Sequence, residues 1–460
     1  MFGCVLLSGC AVADTTRHDK PNIVLIMADD LGYNGLGCYN STVLETPVLD
    51  KLAAEGLRCT DFHSNGAVCS PTRAALMTGR YQQRSGIDGV VKAASLRHVG
   101  LDLEERTVAE ALKAQGYATA IFGKWHLGYD PMYNPVTQGF DEFRGFVSGN
   151  VDQFSFVDQV GYYDWWNQDK RVDDPGYFSK KITDYAIDFI DCNKDKPFFL
   201  YLPHAAPHTP IQAPDDPPGR RVTKGDYIPE SHKNLSYGKV KNQKQSLVNM
   251  VGFMDAQIGR VVDHLEAQGL AEKTLVIFLS DNGPSKLVKN ADKDVHQLRG
   301  GKGDVYEGGH RVPAIFYWPG KIKAGQTTDQ AMVGMDLMPT FMKLAGVTEG
   351  YERLDGKDLG PVLFDEKELP SRDLYWFSFG SKKSAIRRGN WKLVENKKDG
   401  VGLFDLSVDL AEETDLSGEN PELAQSLKAQ LDKMKDELTR NGKMKTIPAA
   451  SKKIKRKKGE

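Results

Sequence analysis

Carboxylate and amide side chains follow two apolar runs that are typical of buried strands. Asp29 and Asp30 come directly after the first run, and Asp281 with Asn282 follows a later one. Ligands of open parallel sheets bind beyond the carboxyl ends of the strands, so both pairs are expected at one edge of a sheet. Their oxygens are hard ligands that suit Ca²⁺ or Mg²⁺ and not Zn²⁺. Taken singly, each pair has an ordinary alternative as a turn former or helix cap.

Cations and imidazoles follow two further apolar runs. One run leads into Lys124 and His126, and another leads into His204 and His208. Lys302 lies in the glycine-rich sequence Arg-Gly-Gly-Lys-Gly, where the backbone can approach a ligand closely. Each residue alone has an ordinary explanation as a surface lysine or a hydrogen-bonded loop histidine. Together with the oxygen ligands they describe a metal-assisted oxyanion site for a sulfate or phosphate ester.

A cysteine precedes a helical pattern in the sequence C-S-P-T-R-A-A-L-M-T-G-R, which begins at Cys69. The pattern predicts a helix with Ser70 as N-cap and Pro71 at the first helical position. Cys69 would then lie at the positive end of the helix, with Arg73 on the same side. Two interpretations of Cys69 stay open at this point, a buried structural cysteine and a reactive thiolate.

The elements that must position these residues are strands and helices in alternation. Continuous apolar runs predict strands that are covered on both faces, at residues 23–27, 118–122, 198–202 and 275–279. Apolar residues at helical spacing lie between them, at residues 48–55, 108–115, 178–190 and 247–265. This alternation predicts one α/β sandwich domain with a mainly parallel sheet over residues 20–345.

The pattern changes after residue 345. Short aromatic strands are predicted at 374–377 and 391–394, followed by an amphipathic helix with Asn420 as N-cap and Pro421 at its first position. One face of that helix is apolar and comprises Leu423, Leu427, Leu431, Met434 and Leu438. We therefore predict a small C-terminal α+β domain over residues 346–442. The basic tail 443–460 is either a solvated, disordered end or a contact for an anionic glycan or lipid headgroup.

The composition and the N-terminus bear on partners and location. The 460 residues carry a net charge of −2, so the chain has no overall nucleic-acid signature. Residues 1–19 are predicted to be a leader and linker, in which Leu-Leu-Ser-Gly-Cys-Ala ends at residue 11 and resembles a bacterial lipobox. The first five residues lack the Lys or Arg of a usual leader. We expect an exported, periplasmic or outer-membrane lipoprotein with Cys10 as its lipid anchor.

Four cysteines remain when the leader is set aside, and their spacing does not match a CxxC zinc motif. The sequence leaves their disulfide pairing open. They are Cys38, Cys59, Cys69 and Cys192.

The segment beginning at Cys69 resembles the sulfatase signature C-x-P-S-R followed by A-A-L-x-T-G-R, in which the cysteine is oxidised to Cα-formylglycine. Thr72 departs from it, because serine is commoner there. Further stretches similar to sulfatases are 22–30, 123–128, 207–214, 280–283, 300–313 and 403–416. The resemblance implies a formylglycine-dependent, arylsulfatase-like enzyme of the alkaline-phosphatase-like superfamily. It also implies a large sandwich domain, a small C-terminal α+β domain, and a formylglycine-generating enzyme as maturation partner.

The resemblance also assigns roles. One Ca²⁺ would be held by Asp29, Asp30, Asp281, Asn282 and the formylglycine formed from Cys69. Arg73 and Lys124 would stabilise the hydrated aldehyde, one hydroxyl of which attacks sulfur, and His126 would take a proton from the other. Lys302 and His208 would bind the sulfate and protonate the leaving alcohol, with His204 as a weaker competitor for that role. The predicted catalytic residues are thus Cys69, Arg73, Lys124, His126, His208 and Lys302, and those that bind substrate are Lys124, His208 and Lys302.

Two other functions compete with a sulfatase. One is a phosphonate or phosphate ester hydrolase of the same superfamily. The other is a binding protein for sulfated glycans in which Cys69 stays a thiol. The expected substrate is a sulfated carbohydrate, such as a polysaccharide. Aromatic residues between 154 and 166 either stack on its sugar rings or pack between sheet and loop.

Overall fold

The computed structural model describes residues 20–291, 298–378 and 382–441. The predicted leader 1–19, with its anchor Cys10, and the predicted basic tail 443–460 lie outside the described residues. Within the described ranges, none of the helices combines the length and apolarity that crossing a membrane requires.

The larger unit is built on a central sheet. Its strands and those of a small accessory pair, numbered in chain order, are β1 (Asn22–Ala28), β2 (Leu57–Cys59), β3 (Phe62–His63), β4 (Ala118–Lys124), β5 (Glu142–Phe146), β6 (Trp166–Asn167), β7 (Lys170–Arg171), β8 (Phe198–Pro203), β9 (Thr274–Ser280), β10 (Ala314–Tyr317), β11 (Gln326–Thr328) and β12 (Met332–Val333). The central sheet has the strand order β11-β2-β10-β9-β1-β8-β4-β5-β6-β7, and β3 pairs with β12.

The middle of the sheet consists of the four strands predicted from continuous apolar runs, which are confirmed. Strands β9, β1, β8, β4 and β5 are parallel to their neighbours in that order. Strand β10 is antiparallel to β9 and β2, and the edge strands β6 and β7 are also antiparallel. The sheet is therefore mixed but mostly parallel, as predicted.

Helices cover both faces of this sheet. They are α1 (Pro47–Glu55), α2 (Cys69–Thr78), α3 (Val108–Lys113), α4 (Phe178–Asn193), α5 (Gln243–Ala267), α6 (Lys286–Ala291), α7 (Glu307–His310), α8 (Leu337–Leu344) and α9 (Gly360–Asp365). Short 3-10 helices span Gly37–Tyr39, Pro131–Tyr133, Pro135–Gln138, Glu230–Asn234, Ala271–Lys273, Gly334–Asp336 and Tyr351–Arg353. The four predicted helices of this unit are confirmed to within a few residues at their ends.

Alternate residues of β1 enter two different cores. Ile23 and Leu25 pack in the cluster that contains α2, α3 and α8, whereas Val24 and Ile26 pack in the cluster that contains α1, α4 and α5. Because successive side chains of a strand point to opposite faces, a strand between two helical layers must be apolar at every position. This explains why the run needed no alternation to form a strand.

The predicted N-cap of α2 is wrong. The helix begins at Cys69, and its N-cap is Val68, which is extended and makes no side-chain cap hydrogen bond. Ser70 is already helical, and its Oγ accepts the backbone N–H of Val91 at 3.1 Å. Pro71 lies in the first turn, where its missing N–H has no intrahelical partner to lose.

The smaller unit is an antiparallel sheet with one helix. Strands β13 (Asp373–Phe377), β14 (Lys383–Arg388), β15 (Trp391–Asn396) and β16 (Gly400–Asp405) pair in chain order. Helix α10 (Pro421–Asn441) begins at the predicted proline and buries Leu427, Leu431, Met434 and Leu438 in one cluster with this sheet. That cluster also contains Ala75 of α2, so the two units share a core.

A buried ion network also joins the two units. Lys392 of β15 is fully buried, and its Nζ lies 2.8 Å from Glu307 Oε1 and 2.9 Å from Glu412 Oε1. The same Nζ lies 3.1 Å from His310 Nε2. His63, Glu307 and His310 have the spacing of a metal site, but the Lys392 ammonium already supplies a cation to Glu307.

Candidate active site

The pairs Asp29–Asp30 and Asp281–Asn282 follow neighbouring strands at the same edge of the sheet. Strands β1 and β9 are parallel, with Ala28 opposite Ser280, so Asp29 and Asp281 are the next residues on each side. The Asp30 backbone adopts a φ of 68°, and its N–H donates to Asp281 Oδ1 at 3.1 Å. Both pairs are at most 1% exposed. Sheet register alone therefore brings together acidic residues that are far apart in sequence.

Helix α2 delivers Cys69 to this edge. Its Sγ lies 3.4 Å from Asp29 Oδ1 and 3.2 Å from Lys302 Nζ. Lys302 Nζ also donates to Asp30 Oδ1 at 2.6 Å. The loop that carries Lys302 is tied to the segment before α2, because the N–H of Gly303 donates to the carbonyl of Ala67 at 2.7 Å.

Two more cations line the same cluster. Arg73 lies one turn after Cys69, and its Nη2 donates to Asp281 Oδ2 at 2.9 Å. Its Nη1 donates to the backbone carbonyl of Lys124, also at 2.9 Å. Lys124 ends β4, and its Nζ lies 2.5 Å from Asp29 Oδ2. Both cations are almost fully buried, and carboxylates compensate their charges.

His126 is oriented by a backbone carbonyl. Its backbone φ is 59°, and its Nε2 lies 3.1 Å from the carbonyl oxygen of Val91. A carbonyl only accepts, so Nε2 carries the proton and Nδ1 is left as an acceptor. This Nδ1 is buried and has no partner among the described residues. Burial and the charges of Lys124 and Arg73 hold the pKa of His126 well below its usual range, so the ring is neutral.

Of the two histidines after β8, only His208 joins the acidic cluster. Its Nε2 lies 3.7 Å from Asp30 Oδ2, its Nδ1 contacts the carbonyl of Thr209 at 2.8 Å, and its side chain is 13% exposed. His204 is buried, and its Nδ1 has no partner in the described ranges. Burial lowers the pKa of His204 to about 3. Of these two residues, His208 is therefore the one that lies at the cluster.

The electrostatics of the site differ from those of a thiolate enzyme. Burial raises the pKa of the Cys69 thiol to about 12, and the charge of Asp29 adds to that rise. Burial also favours protonation of Asp29, but Lys124 and His208 outweigh it and lower the pKa of that carboxyl to about 2. Burial and the charge of Asp29 raise the pKa of Asp281. At neutral pH Cys69 is therefore a protonated thiol, which disfavours the reactive thiolate.

The donor set fits a hard cation. Asn282 donates from Nδ2 to Asp30 Oδ1 at 2.7 Å and to the Gly283 carbonyl at 2.8 Å. Its Oδ1 is buried and finds no donor among the described residues, so an amide oxygen is left ready to accept a cation. Ligand atoms that all lie within 4.8 Å of one another are offered by Asp29, Asp30, Cys69 and His208. Carboxylate and amide oxygens in this arrangement suit Ca²⁺.

The structure gathers all the residues predicted for the site around one strand edge. They are Asp29, Asp30, Cys69, Arg73, Lys124, His126, His208, Asp281, Asn282 and Lys302, and their individual roles stay predictions. No feature of the sequence predicted that the Val91 carbonyl would orient His126. The structure explains why residue 283 is a glycine, because a Cβ there would lie 1.8 Å from the carbonyl oxygen of Gly308.

Three of the six aromatic residues between 154 and 166 are buried inside the protein, and the other three are half-buried. The rings of Phe156 and Trp165 stack at 4.1 Å, and both side chains are buried. Tyr163 is also buried, whereas Tyr162 is half-buried. Packing between sheet and loop therefore accounts for Phe156, Tyr163 and Trp165.

Comparisons with known proteins agree over most of the chain. A sequence profile of the sulfatase family matches residues 21–347, and a profile described as the C-terminal part of N-sulphoglucosamine sulphohydrolase matches residues 301–438. Human arylsulfatase A is 37% identical over 415 residues, which are 84% of this chain and 76% of that protein. N-acetylgalactosamine-6-sulfatase of Canis lupus familiaris is 31% identical over 412 residues, 84% of this chain and 74% of that protein.

A solved structure shares the architecture. The crystal structure of Ps i-CgsB superimposes with a TM-score of 0.81 at 32% identity and covers 93% of this chain and 94% of that one. The same protein has been solved in complex with k-i-k-neocarrahexaose, with a TM-score of 0.81 at 31% identity. Both units of the fold are thus found together in a known structure.

Proposed function

The chain belongs to the sulfatase family and is a sulfuric ester hydrolase, and from this premise we propose that it removes sulfate from a sulfated carbohydrate through a formylglycine formed from Cys69. The observation that carries the proposal is the position of the Cys69 Sγ, 3.2 Å from Lys302 Nζ and 3.4 Å from Asp29 Oδ1. A side chain oxidised at this position meets a cation on one side and the acidic cluster on the other.

Ca²⁺ is part of the proposal. Asp29, Asp30, Asp281 and Asn282 would hold the ion, and the buried, unpartnered Oδ1 of Asn282 supports this assignment. When bound, Ca²⁺ supplies positive charge that neutralises a sulfate oxygen and the charge that develops in the transition state. Lys302 Nζ lies at the partly exposed side of the cluster, where it can bind the remaining sulfate oxygens.

The formylglycine, made by a formylglycine-generating enzyme during maturation, supplies as its hydrate the hydroxyl nucleophile that a thiol with a pKa of about 12 does not. Arg73 and Lys124 surround this position and are held in place by Asp281 and Asp29, respectively. Their fixed charges offset the repulsion between an anionic ester and an incoming nucleophile.

Proton transfer falls to the two histidines. The free Nδ1 of His126 is the acceptor nitrogen of a neutral ring, which suits a general base. His208 is the more exposed of the two, with 13% of its side chain accessible, and a sugar alcohol leaving toward solvent would pass it. It is therefore assigned as the general acid for the leaving group.

The substrate class is supported by the relatives. One is named N-acetylgalactosamine-6-sulfatase, and the structural neighbour was solved with a carrageenan-type hexasaccharide. We propose a sulfated glycan for this chain on that basis. Export as a periplasmic or outer-membrane lipoprotein anchored at Cys10 is proposed from the lipobox-like sequence of residues 6–11.

The test is co-expression with a formylglycine-generating enzyme, followed by mass spectrometry of the peptide that contains Cys69 and by assays of ester hydrolysis. The panel comprises 4-nitrophenyl sulfate, N-acetylgalactosamine 6-sulfate, a carrageenan hexasaccharide and a phenyl phosphonate monoester. We expect an aldehyde at position 69 and sulfate release from at least one sugar, with neither in the Cys69→Ala variant.

Other outcomes separate the competing functions. Faster turnover of the phosphonate than of every sulfate ester would favour a phosphonate hydrolase. An unmodified thiol, combined with glycan binding that survives in Cys69→Ala and no sulfate release, would favour a binding protein and contradict the proposal.

A further inference from the structure

An arginine contacts two aromatic rings in the neighbourhood of His126. The guanidinium carbon of Arg97 lies 4.8 Å from the ring centre of Tyr129 and 4.7 Å from that of Tyr162. Tyr129 is next to the site, because its hydroxyl donates at 3.3 Å to the Val91 carbonyl that also binds His126. Cation–π contacts thus place Arg97 beside the catalytic edge.

The hydrogen-bond donors of Arg97 are not used up. Its nearest carboxylate oxygen is Asp158 Oδ2 at 3.8 Å, which is too long for a hydrogen bond. The other oxygen of Asp158 already accepts three backbone N–H groups, from residues 160–162. Arg97 Nη1 is buried without a partner among the described residues, although 38% of the side chain is exposed. The rings orient the guanidinium, the buried Nη1 is out of reach of solvent, and a ligand would meet the exposed part of the side chain.

A second cation lies near the ring of Tyr162. Lys224 is exposed, and its Nζ lies 5.9 Å from the centre of the Tyr162 ring. Its backbone is fixed, because the N–H of Lys224 donates to the Gly161 carbonyl at 3.0 Å. Arg97, Tyr129, Tyr162 and Lys224 together are called the Arg97 shelf below.

The shelf is continuous with the wall of the site. The Gly149 N–H donates to the Tyr129 hydroxyl at 3.2 Å, and a Cβ at Gly149 would lie 2.8 Å from the His126 ring. One residue therefore contacts both the catalytic imidazole and an aromatic side chain of the shelf. Through Gly149, the shelf is therefore one residue removed from the His126 imidazole.

We propose that the Arg97 shelf, on its side away from Asp158 Oδ2, binds a second anionic group, a sulfate or a carboxylate, on a sugar next to the one that loses its sulfate. The planar guanidinium fork matches two oxygens of such a group, and Lys224 adds a point charge. The inference rests on the proposed function and narrows its substrate class to glycans that carry anionic groups on successive sugars.

The test compares Arg97→Gln and Arg97→Lys with the wild type on two substrates. One is the longest sulfated oligosaccharide that the wild type hydrolyses, and the other is 4-nitrophenyl sulfate. Arg97→Gln should lower the ratio of the two kcat/KM values by about tenfold to about a hundredfold, mainly through KM, since charge-assisted hydrogen bonds to the oligosaccharide are lost. Arg97→Lys, which keeps the charge without the fork, should lie between.

Arg144→Gln is the matched control. Arg144 stacks on Tyr185 at 4.5 Å, away from the site, and its replacement should leave the ratio as it is in the wild type. A ratio that Arg97→Gln leaves unchanged, or that Arg144→Gln lowers equally, would refute the shelf.

Binding measurements test the Arg97 shelf independently of the proposed sulfate ester hydrolysis. Calorimetric titrations in the Cys69→Ala background use a carrageenan hexasaccharide, whose charges are all sulfates, and a chondroitin tetrasaccharide with one terminal sulfate, whose other charges are carboxylates. Weaker binding of either probe by the added Arg97→Gln change supports the shelf and identifies the group it recognises. Unchanged affinity for both probes refutes it. If the wild-type chain hydrolyses no sulfate ester, the proposed function fails, while these titrations still judge the shelf.

Discussion

Replacing Lys392 by methionine should destabilise the protein without touching the active site. Lys392 is 0% exposed, and its ammonium is the cation shared by Glu307 and Glu412 at 2.8 Å and 2.9 Å. Methionine keeps most of the volume of the side chain but leaves two buried carboxylates without that cation. Breaking a buried ion pair by removing one partner costs about 3–5 kcal/mol.

The lower end of this range is expected. Glu307 keeps Arg311, whose Nη1 lies 2.8 Å away. Burial raises the pKa of Glu412 to about 7, with the charge of Glu307 adding to the rise against the attraction of Lys392, so this carboxyl can take up a proton. We expect a loss of about 3 kcal/mol. The unfolding entropy of a 460-residue chain is roughly 1 kcal/mol per kelvin, which converts the loss to a decrease in Tm of about 3 °C.

Differential scanning calorimetry at pH 8 measures this shift. The control is Lys180→Met, because Lys180 is 57% exposed and its ion pair with Asp184, at 2.6 Å, spans one helical turn. An exposed pair of this kind contributes about 0.3–0.5 kcal/mol, so the control should change Tm by less than about 1 °C. A Lys392→Met protein that melts within 1 °C of the wild type would refute the view that this ammonium compensates both carboxylates.

Three further predictions concern pH, metal and the leaving group. The folded pKa of Glu412, about 7, lies above its ordinary value of 4.5, so protonated Glu412 stabilises the fold at low pH and this contribution is lost as pH rises from about 4.5 to about 7. The Tm of Glu412→Gln minus the Tm of the wild type should therefore increase from pH 5 to pH 8. A difference that stays constant over this range would contradict the raised pKa of Glu412. Ca²⁺ at about 100 times its Kd should stabilise the wild type by about 2.7 kcal/mol in thermal melts. The same Ca²⁺ concentration should stabilise the Asn282→Leu variant much less. A wild-type Tm that is the same with EDTA and with Ca²⁺ would contradict the metal site. His208→Asn should lower kcat on sugar sulfates by about a hundredfold or more and on 4-nitrophenyl sulfate far less, because only the poor leaving group needs a proton. Equal losses on both esters would remove His208 as general acid.

Buried strands were the part of the fold that the sequence predicted well. The runs in β1, β4, β8 and β9 are almost continuously apolar because both faces are covered, and their short length favours strands over buried helices. Strand β14 was not predicted. Its sequence K-S-A-I-R-R carries charges at both ends, and they are held by partners from elsewhere in the chain, such as Asp61 for Arg387. A strand of this kind becomes recognisable only when its partners are known.

The buried ion network was missed for the same reason. Lys392 lies in a predicted strand, but nothing near it in sequence announces Glu307 or Glu412, which come from other parts of the chain. Charged residues are almost never fully buried unless paired, so local sequence favours a surface interpretation for each of them. The acidic and basic residues of the active site are buried as well, and their partners also come from distant parts of the sequence. Their positions after apolar runs and in a glycine-rich loop indicated a metal-assisted oxyanion site, and the resemblance of the signature around Cys69 to a known family then assigned their individual roles.

Helix α2 has no side-chain N-cap, and this leaves Ser70 available for a contact near the site. Ser70 would have been used locally as a cap, and instead its Oγ accepts the N–H of Val91 at 3.1 Å. The carbonyl of that same residue binds His126 Nε2 at 3.1 Å. Val91 thus connects the residue adjacent to Cys69 with the imidazole assigned as base, through its own N–H and C=O. Helix α2 therefore positions Cys69 directly and His126 through one intervening residue. In the proposed mechanism, the same helix would thus position both the nucleophile and its base.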